Sequence, residues 1–291
     1  MTFSVIVPTY NRLSQLKKTL TSLFGQSYTS YEIIVVNDGG SDGSHEYLQD
    51  LSSQGKIKYY HHANSGLAAT RKAGLQYAEG TFVAFTDDDC VLPPDWLHKL
   101  YDWFTDDSVA GVGGPTQTGD PLNPYADAND FINNYFKSRL NSRAGQDPYL
   151  TGNNVAFRRS ALEKVGGPDP KFRMGAEDRD LLLRIHRAGG KIIYDPAIVI
   201  EHYNNSNFYG FVRHQFVQGK GSYLFYTNTK KSSGCRPTPI PLKVYTGLLL
   251  SPFSSRPFPR ALFLSVLIIL AQVAVTAGFF SALLKKQSHH E

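Results

Sequence analysis

The first two hundred residues of the chain alternate between two periods. Phe3–Val7 is apolar throughout, and then Leu13, Leu16, Leu20, Leu23 and Phe24 recur at helical spacing. Glu32–Val36 ("EIIVV") is a second apolar run, Ser41–Ser53 reads as helix, and Lys56–Tyr60 reads as a third strand. Leu67–Ala78 returns to helical spacing. Thr81–Phe85, rich in β-branched and aromatic residues, is a fourth strand. This order predicts an α/β fold, a Rossmann-like, mainly parallel sheet with helices on both faces. Residues 115–148, rich in Pro, Asn and Asp, predict a loop with a short helix near Phe131–Leu140. Regular structure is expected again at Tyr149–Phe157. A helix is expected over Glu177–Ala188, ended by Gly189-Gly190, then short strands at Ile192–Tyr194 and Ala197–Ile200. Phe208–Tyr226 predicts a basic amphipathic helix, and residues 227–241 a linker.

The end of the chain changes the picture. Ala261–Leu284, "ALFLSVLIILAQVAVTAGFFSALL", carries no charge over 24 residues. As a helix it spans about 36 Å, against a hydrocarbon core of about 30 Å. Arg256 and Arg260 flank one end, Lys285 and Lys286 the other, and Gln272 is the only strongly polar side chain within. A buried core helix this long usually shows a polar stripe, so the run predicts a membrane helix. A re-entrant or in-plane helix is the alternative to a span, because Pro252, Pro257 and Pro259 break an entry.

Charge supports a membrane partner. Residues 203–291 hold ten Lys/Arg and a single acidic residue, Glu291, whereas residues 1–202 hold 20 Lys/Arg and 24 Asp/Glu. A basic region needs an anionic partner, and next to an apolar run that partner is expected to be lipid headgroups, not nucleic acid. Most of these basic residues precede the run, from Arg213 to Arg260. The positive-inside rule then places the catalytic part on the cytoplasmic side of an inner or plasma membrane. Met1–Pro8 lacks a basic n-region and reads as a first strand, not a signal peptide. Cys90 and Cys235 are too few and too far apart to predict a disulfide framework or a zinc site. The expected organisation is a catalytic domain over 1–203, a basic helix and linker over 204–241, and a membrane-associated region over 242–291.

Open α/β sheets bind ligands beyond the carboxyl ends of their strands. Three polar motifs fall there: Pro8-Thr9-Tyr10-Asn11-Arg12, Asn37-Asp38-Gly39-Gly40, and Asp87-Asp88-Asp89. On an extended segment, positions i and i+2 point the same way, so Asp87 and Asp89 are candidates to share a divalent cation (Mn²⁺ or Mg²⁺) with diphosphate oxygens. A solvated turn is the bland alternative. Asp38 is placed to accept hydrogen bonds from a ribose or a base. Capping of the next helix fits Asp42 better. No G-x-G-x-x-G follows the first strand, which argues against a dinucleotide cofactor. Glu177 and Asp178 fall at a helix start, where the macrodipole favours anions and a carboxylate can accept a proton. Helix capping explains them equally well.

Together the motifs "VIVPTYNR", "VVNDGGSDGS", "NSGLAATRKAGL", "FTDDDCVLPPDWL", "TGNNVAFRRSALEKVGG", "GAEDRDLLLRIHRAGG" and "IEHY" carry a resemblance. Over Phe3–Tyr203 the chain resembles the family-2 inverting glycosyltransferases of GT-A fold. The resemblance implies that Pro8, Thr9, Tyr10, Arg12, Asp38, Asn64, Gly66, Arg71, Asp87 and Asp88 hold a nucleotide-sugar donor. It assigns Gly152, Asn153 and Asn154 to the donor sugar or acceptor. Asp89, Asp87 and His202 would hold the metal, with a structural histidine as the alternative for His202. Asp178 would be the general base, with Glu177 beside it. Asn37 stands where an aspartate is common and Lys72 where an asparagine is common, which leaves base and sugar preference open. The implied enzyme is membrane-anchored and metal-dependent. It would move a hexosyl or deoxyhexosyl group to a hydroxyl of a lipid-linked or cell-surface glycan. A nucleotidyltransferase should show a glycine-rich phosphate loop, and "PTYNR" has no glycine. A non-catalytic nucleotide-sugar-binding homologue would not need Asp38, Asp87, Asp89 and Asp178 intact.

Overall fold

The computed structural model describes residues 2–142, 146–173, 175–204, 206–233 and 236–287. Cys235 and the tail residues 288–291 lie outside the described residues. The chain opens with β1 (Phe3–Thr9), α1 (Leu13–Phe24), β2 (Tyr31–Asn37), α2 (Ser44–Ser53), β3 (Lys58–His61), α3 (Leu67–Gln76) and β4 (Phe82–Phe85). It continues through β5 (Cys90–Val91), α4 (Trp96–Trp103), β6 (Val109–Gly113), β7 (Thr116–Thr118), α5 (Pro124–Asn141), β8 (Val155–Arg158) and α6 (Arg159–Val165). Next come α7 (Glu177–Arg187), β9 (Lys191–Tyr194) and β10 (Ile200–His202). The chain closes with α8 (Phe208–Ser233), α9 (Leu242–Leu250), α10 (Pro252–Ser255) and α11 (Phe258–Gln287).

A seven-stranded sheet in the order β3-β2-β1-β4-β8-β6-β9 forms the centre. β1 pairs in parallel with β2 and β4, and β8 runs antiparallel between β4 and β6. Successive side chains face opposite ways. Val5, Val7, Ile33, Val35 and Ala84 pack with Leu16 and Leu20 of α1 and Trp96 of α4. Ile6, Ile34, Val36, Val83 and Phe85 pack on the other face with Leu181, Leu182 and Ile185 of α7. Burial on both faces is why these strands read as unbroken apolar runs in the sequence.

A small sheet, β5-β10-β7, lies at the carboxyl end of the large one. Its antiparallel register sets His202 opposite Cys90, next in sequence to the aspartate triplet. A third apolar cluster joins α5, α8, α9 and α11 through Ile132, Phe136, Phe211, Val244, Leu248, Leu264 and Ile268.

Several boundaries differ from expectation. The short helix expected near Phe131–Leu140 is the 18-residue α5, starting at Pro124. Asn123 caps it by accepting from the N–H groups of Tyr125 and Ala126, with Pro124 in its first turn. Its period is hidden because Asn129, Asp130 and Lys137 are polar yet buried. The stretch expected as loop also contains β7. The second short strand lies at Ile200–His202 instead of Ala197–Ile200. α8 continues to Ser233, through part of the expected linker.

Candidate active site

The carboxyl ends of β1, β2 and β4 open into a cavity of about 740 Å³. Pro8, Thr9, Tyr10, Arg12, Asp38, Arg71, Asp87, Asp88, Asp89, Gly152, Asn153, Glu177, Asp178 and His202 all line it. Asn64, Gly66 and Asn154 are not part of that lining.

The aspartate triplet is turned, not extended. Cys90 N–H donates to the Asp87 carbonyl at 3.3 Å, and the three carboxylates go to different partners. Asp88 reaches back to the end of β1. It accepts from Thr9 Oγ1 at 2.8 Å and from Arg12 Nη1 at 3.1 Å. Asp89 accepts from the same Arg12 nitrogen at 2.8 Å and lies 3.5 Å from His202 Nε2. Asp87 accepts from Arg71 Nη2 at 2.6 Å. Three neighbouring negative charges are thus offset by Arg12, Arg71 and His202. Burial pushes Asp88 up to about 6 against the pull of Arg12. Burial works against a charged His202, yet hydrogen bonds to Asp130 (Nδ1, 3.1 Å) and Asp89 push it up to about 10.

Among the described residues no group of three or more His, Cys, Asp or Glu has the spacing of a metal cage. The donors facing the cavity are nevertheless of the right kind. Asp87 and Asp89 offer hard oxygens, and Asp130 Oδ2 is a buried carboxylate oxygen without a hydrogen-bond partner. His202, held protonated between Asp130 and Asp89, would offer an imidazole nitrogen only after giving up a proton. Such a set fits a divalent cation that fills most of its shell with water or phosphate oxygens.

Asp38 is held by the loop before α3. Its oxygens accept from Ser65 N–H at 2.7 Å and Gly66 N–H at 3.0 Å, and Asn64 Nδ2 donates to its carbonyl at 3.1 Å. Asn64 and Gly66 therefore shape the loop that positions Asp38 at the cavity wall. Asp42 accepts from Ser44 N–H at 3.2 Å and from Leu13 N–H at 2.7 Å, but the N-cap of α2 is Gly43, so Asp42 sits one residue ahead of the capping position expected for it. Asn37 Oδ1 closes the following turn by accepting from Gly40 N–H at 2.8 Å.

Arg71 crosses from the triplet to α7. It is 3% exposed, and its Nη1 donates to Glu177 Oε1 at 2.9 Å. A Cβ at Gly152 would collide with this guanidinium, so the position has no room for a side chain. Gly152 N–H in turn points at Asp178 Oδ2, 3.3 Å away. Burial holds Glu177 above the usual glutamate range, and Asp178 adds to the shift while Arg71 opposes it. The helix dipole was expected to favour an anion at Glu177; desolvation outweighs it. Asn153 Oδ1 accepts from Thr151 Oγ1 at 2.7 Å. Asn154 is not brought to the cavity. It is fully buried, accepts from Trp96 Nε1 at 2.9 Å, and donates to the carbonyls of Pro115 and Ile198. Its side chain ties β8 to the neighbouring loops.

Other lining residues escaped the sequence reading: Asn129 and Asp130 from α5, and Arg213, His214, Gln215 and Gln218 from α8. They belong to no local motif, and only the fold brings them together. Gln272 of α11 also lines the cavity. Its solitary polarity in an apolar run was the one signal available.

Comparison with known proteins follows the same outline. The family description "Glycosyl transferase family 2" matches residues 4–166. The chain is 28% identical over 221 residues to a chondroitin synthase of Escherichia coli, covering 64% of this chain and 32% of the relative. It is 28% identical over 262 residues to the pre-mycofactocin glycosyltransferase of Mycobacterium tuberculosis, covering 85% of this chain and 51% of the relative. The chain thus spans about a third to a half of each. In structure it is similar to the mannosyltransferase PcManGT of Pyrobaculum calidifontis, in complex with GDP-Man and Mn²⁺. The TM-score is 0.66 at 20% identity, over 93% of this chain and 86% of that one. S. aureus TarS 1–349 has a TM-score of 0.55 at 18% identity, over 99% of this chain and 92% of that one. At these identities the structures establish a shared GT-A-like fold.

Proposed function

The chain belongs to glycosyl transferase family 2, and from that premise we propose that it moves a sugar, with inversion, from a nucleoside-diphosphate donor to a hydroxyl of a lipid-linked or cell-surface glycan. The observation that carries this reading is the convergence of Asp38, Arg71, the triplet and Asp178 on one cavity. PcManGT with GDP-Man and TarS with UDP-GlcNAc are relatives in fold that hold such donors, and TarS also holds the nucleoside diphosphate UDP.

Asp38, Thr9 and Tyr10 are the candidate nucleotide contacts, and Arg12 and Arg71 supply positive charge for a diphosphate. Asp89, with Asp87 and His202, would hold a Mn²⁺ or Mg²⁺ ion. That ion supplies charge stabilisation for the departing diphosphate. Asp178 is the candidate general base. It would take the proton of the acceptor hydroxyl as that oxygen attacks the anomeric carbon from the face opposite the diphosphate. Gly152 N–H, aimed at Asp178 Oδ2, positions the carboxylate for this. Holding donor and acceptor in line supplies much of the remaining rate. The organisation proposed is a catalytic domain over 1–203, a basic helix and linker over 204–241, and a membrane-associated region over 242–291. The site would face the cytoplasm.

Purified protein offered a panel of nucleotide sugars should release nucleoside diphosphate with one of them. The product's anomeric proton coupling, read by NMR, should show inversion. Retained configuration, or no release from any donor, would overturn the reading.

A further inference from the structure

The apolar run contains one amide, and the fold uses it. Gln272 faces the cavity from α11, and Val275, one turn further on, lines it too. α8 supplies Gln215, Gln218 and Ser222 to the same wall. The two helices meet without spacing. A Cβ on Gly219 would overlap the Val275 carbonyl, and one on Gly278 would overlap the Phe216 carbonyl. This contact sits directly beside Gln218 and close to Gln272. On the other side, Gln218 reaches the Gly175 backbone, where an added Cβ would lie 3.0 Å from Gln218 Oε1. Gly175 precedes α7, which carries Glu177 and Asp178, and Gln218 and Asp178 line the same cavity.

The amide set continues onto α5. Gln215 Nε2 donates to Asn129 Oδ1, and both side chains are buried. Asn129 is 4% exposed, and its Nδ2 has no hydrogen-bond partner although it lines the cavity. A buried donor left unmade is costly, and a turn of the Asn129 amide toward the cavity would let a ligand oxygen satisfy it. Tyr149 and Tyr245 add aromatic surface to this end. Gln215, Gln218, Ser222, Gln272 and Asn129 carry no charge. Of the α8 residues just before Gln215 in the lining, Arg213 is charged, while burial, with His202 and Arg12 adding to it, pushes His214 below the ordinary histidine range and toward its neutral form.

We propose that Asn129, Gln215, Gln218 and Gln272 form an acceptor subsite that reads the hydroxyls of an uncharged glycoside. Amides recognise vicinal hydroxyls because each offers one acceptor and two donors, while aromatic faces take the apolar side of a sugar ring. α11 is on this view a wall of the site and not only an anchor. The assignment rests on the glycosyl-transfer reading for the word acceptor; the glycoside binding itself does not.

Saturation-transfer NMR with methyl hexosides, methyl N-acetylhexosaminides and a methyl glucuronide tests it directly, with nucleoside diphosphate present. A neutral glycoside should give signal and the glucuronide should not. Gln272→Leu, which adds one more leucine to an apolar helix, and Gln218→Leu should each weaken that binding tenfold or more. Donor hydrolysis to water should be unchanged in both variants. Unaltered glycoside binding in both variants, or preference for the glucuronide, overturns the proposal. Failure of the glycosyl-transfer reading would appear differently, as absent donor hydrolysis in the unmutated protein. The same sugar on an octyl chain in vesicles separates the sources. Tenfold tighter binding than the methyl glycoside assigns a lipid-linked acceptor, equal binding a soluble one, and both uphold the subsite.

Discussion

Arg71 sits between Asp87 and Glu177, nearly inaccessible, with its Nε buried and without a hydrogen-bond partner. Removing one member of a buried ion network leaves the other charges uncompensated, at a cost of about 3–5 kcal/mol. Arg71→Leu should lose stability of that order in urea unfolding at pH 8. The loss should depend on pH. Glu177 has its folded pKa raised above the ordinary 4.5, so its contribution is full below that value and is lost as pH rises through the folded one. Arg71 opposes the rise; without it the folded value climbs further. The destabilisation should therefore be clearly smaller at pH 5 than at pH 8. Equal losses at both would show that Glu177 does not feel Arg71. Asp178 stands next to this pair and calls for a different probe. Asp178→Asn keeps the shape and removes the basic oxygen, so turnover should fall roughly 10²–10⁴-fold while donor affinity, measured by calorimetry, holds. Near-normal turnover would move the base elsewhere, with Glu177 the next to test.

At the scale of elements, the contact of α8 with α11 depends on two glycines. Gly278→Leu would drive a side chain into the Phe216 backbone, and overpacking typically costs about 1–3 kcal/mol. The variant should loosen α11 and make the segment around α10 more sensitive to limited proteolysis. An unchanged digestion pattern would mean the helices accommodate the side chain. This crossing was not legible in the sequence, because a small residue in an apolar helix does not say what it meets. The strands β1, β2 and β4 were legible, since burial on both faces leaves an unbroken apolar signal. α5 was read too short because its buried face carries Asn129, Asp130 and Lys137, which break the hydrophobic period. The candidate site divides the same way. Asp87, Asp89 and Asp178 stand in local motifs, whereas Asn129 and Gln218 meet only through the fold. Asn154 shows the reverse, a motif residue whose side chain serves the core.

For the whole molecule, one prediction concerns the cation and another the membrane. Exhaustive EDTA should abolish transfer and Mn²⁺ or Mg²⁺ should restore it; full activity after chelation would remove the cation from the reaction. The membrane question turns on how α11 is packed. It is long and apolar enough to cross a bilayer, at 30 residues or about 45 Å. Yet Ala261, Leu264, Leu267, Ile268, Ala271 and Ala274 are buried against the protein, while Leu262, Phe263, Val266, Ile269 and Val273 are exposed. Its partner α8 carries Arg213, Lys220 and Lys230 and lines the cavity. A spanning α11 would drag these charges and the cavity wall into hydrocarbon, or would have to leave them, and a charged side chain there costs at least about 2.5–3.5 kcal/mol. A helix lying in the interface keeps its buried face on α8 and gives its exposed face to lipid, with Arg256, Arg260 and Lys285 at headgroup level. We therefore propose the in-plane arrangement, the alternative that the prolines before the run leave open. Deleting α11 would open the cavity and uncover the α5–α8 cluster. The sharper test leaves the helix in place. Polar replacement of Leu262, Phe263, Ile269 and Val273 together should release the protein from anionic vesicles in a flotation assay while donor hydrolysis continues. In right-side-out and inverted vesicles, a tag after residue 291 should be protease-accessible from the same side as the catalytic domain. Accessibility from the opposite side would establish a span and overturn the in-plane arrangement.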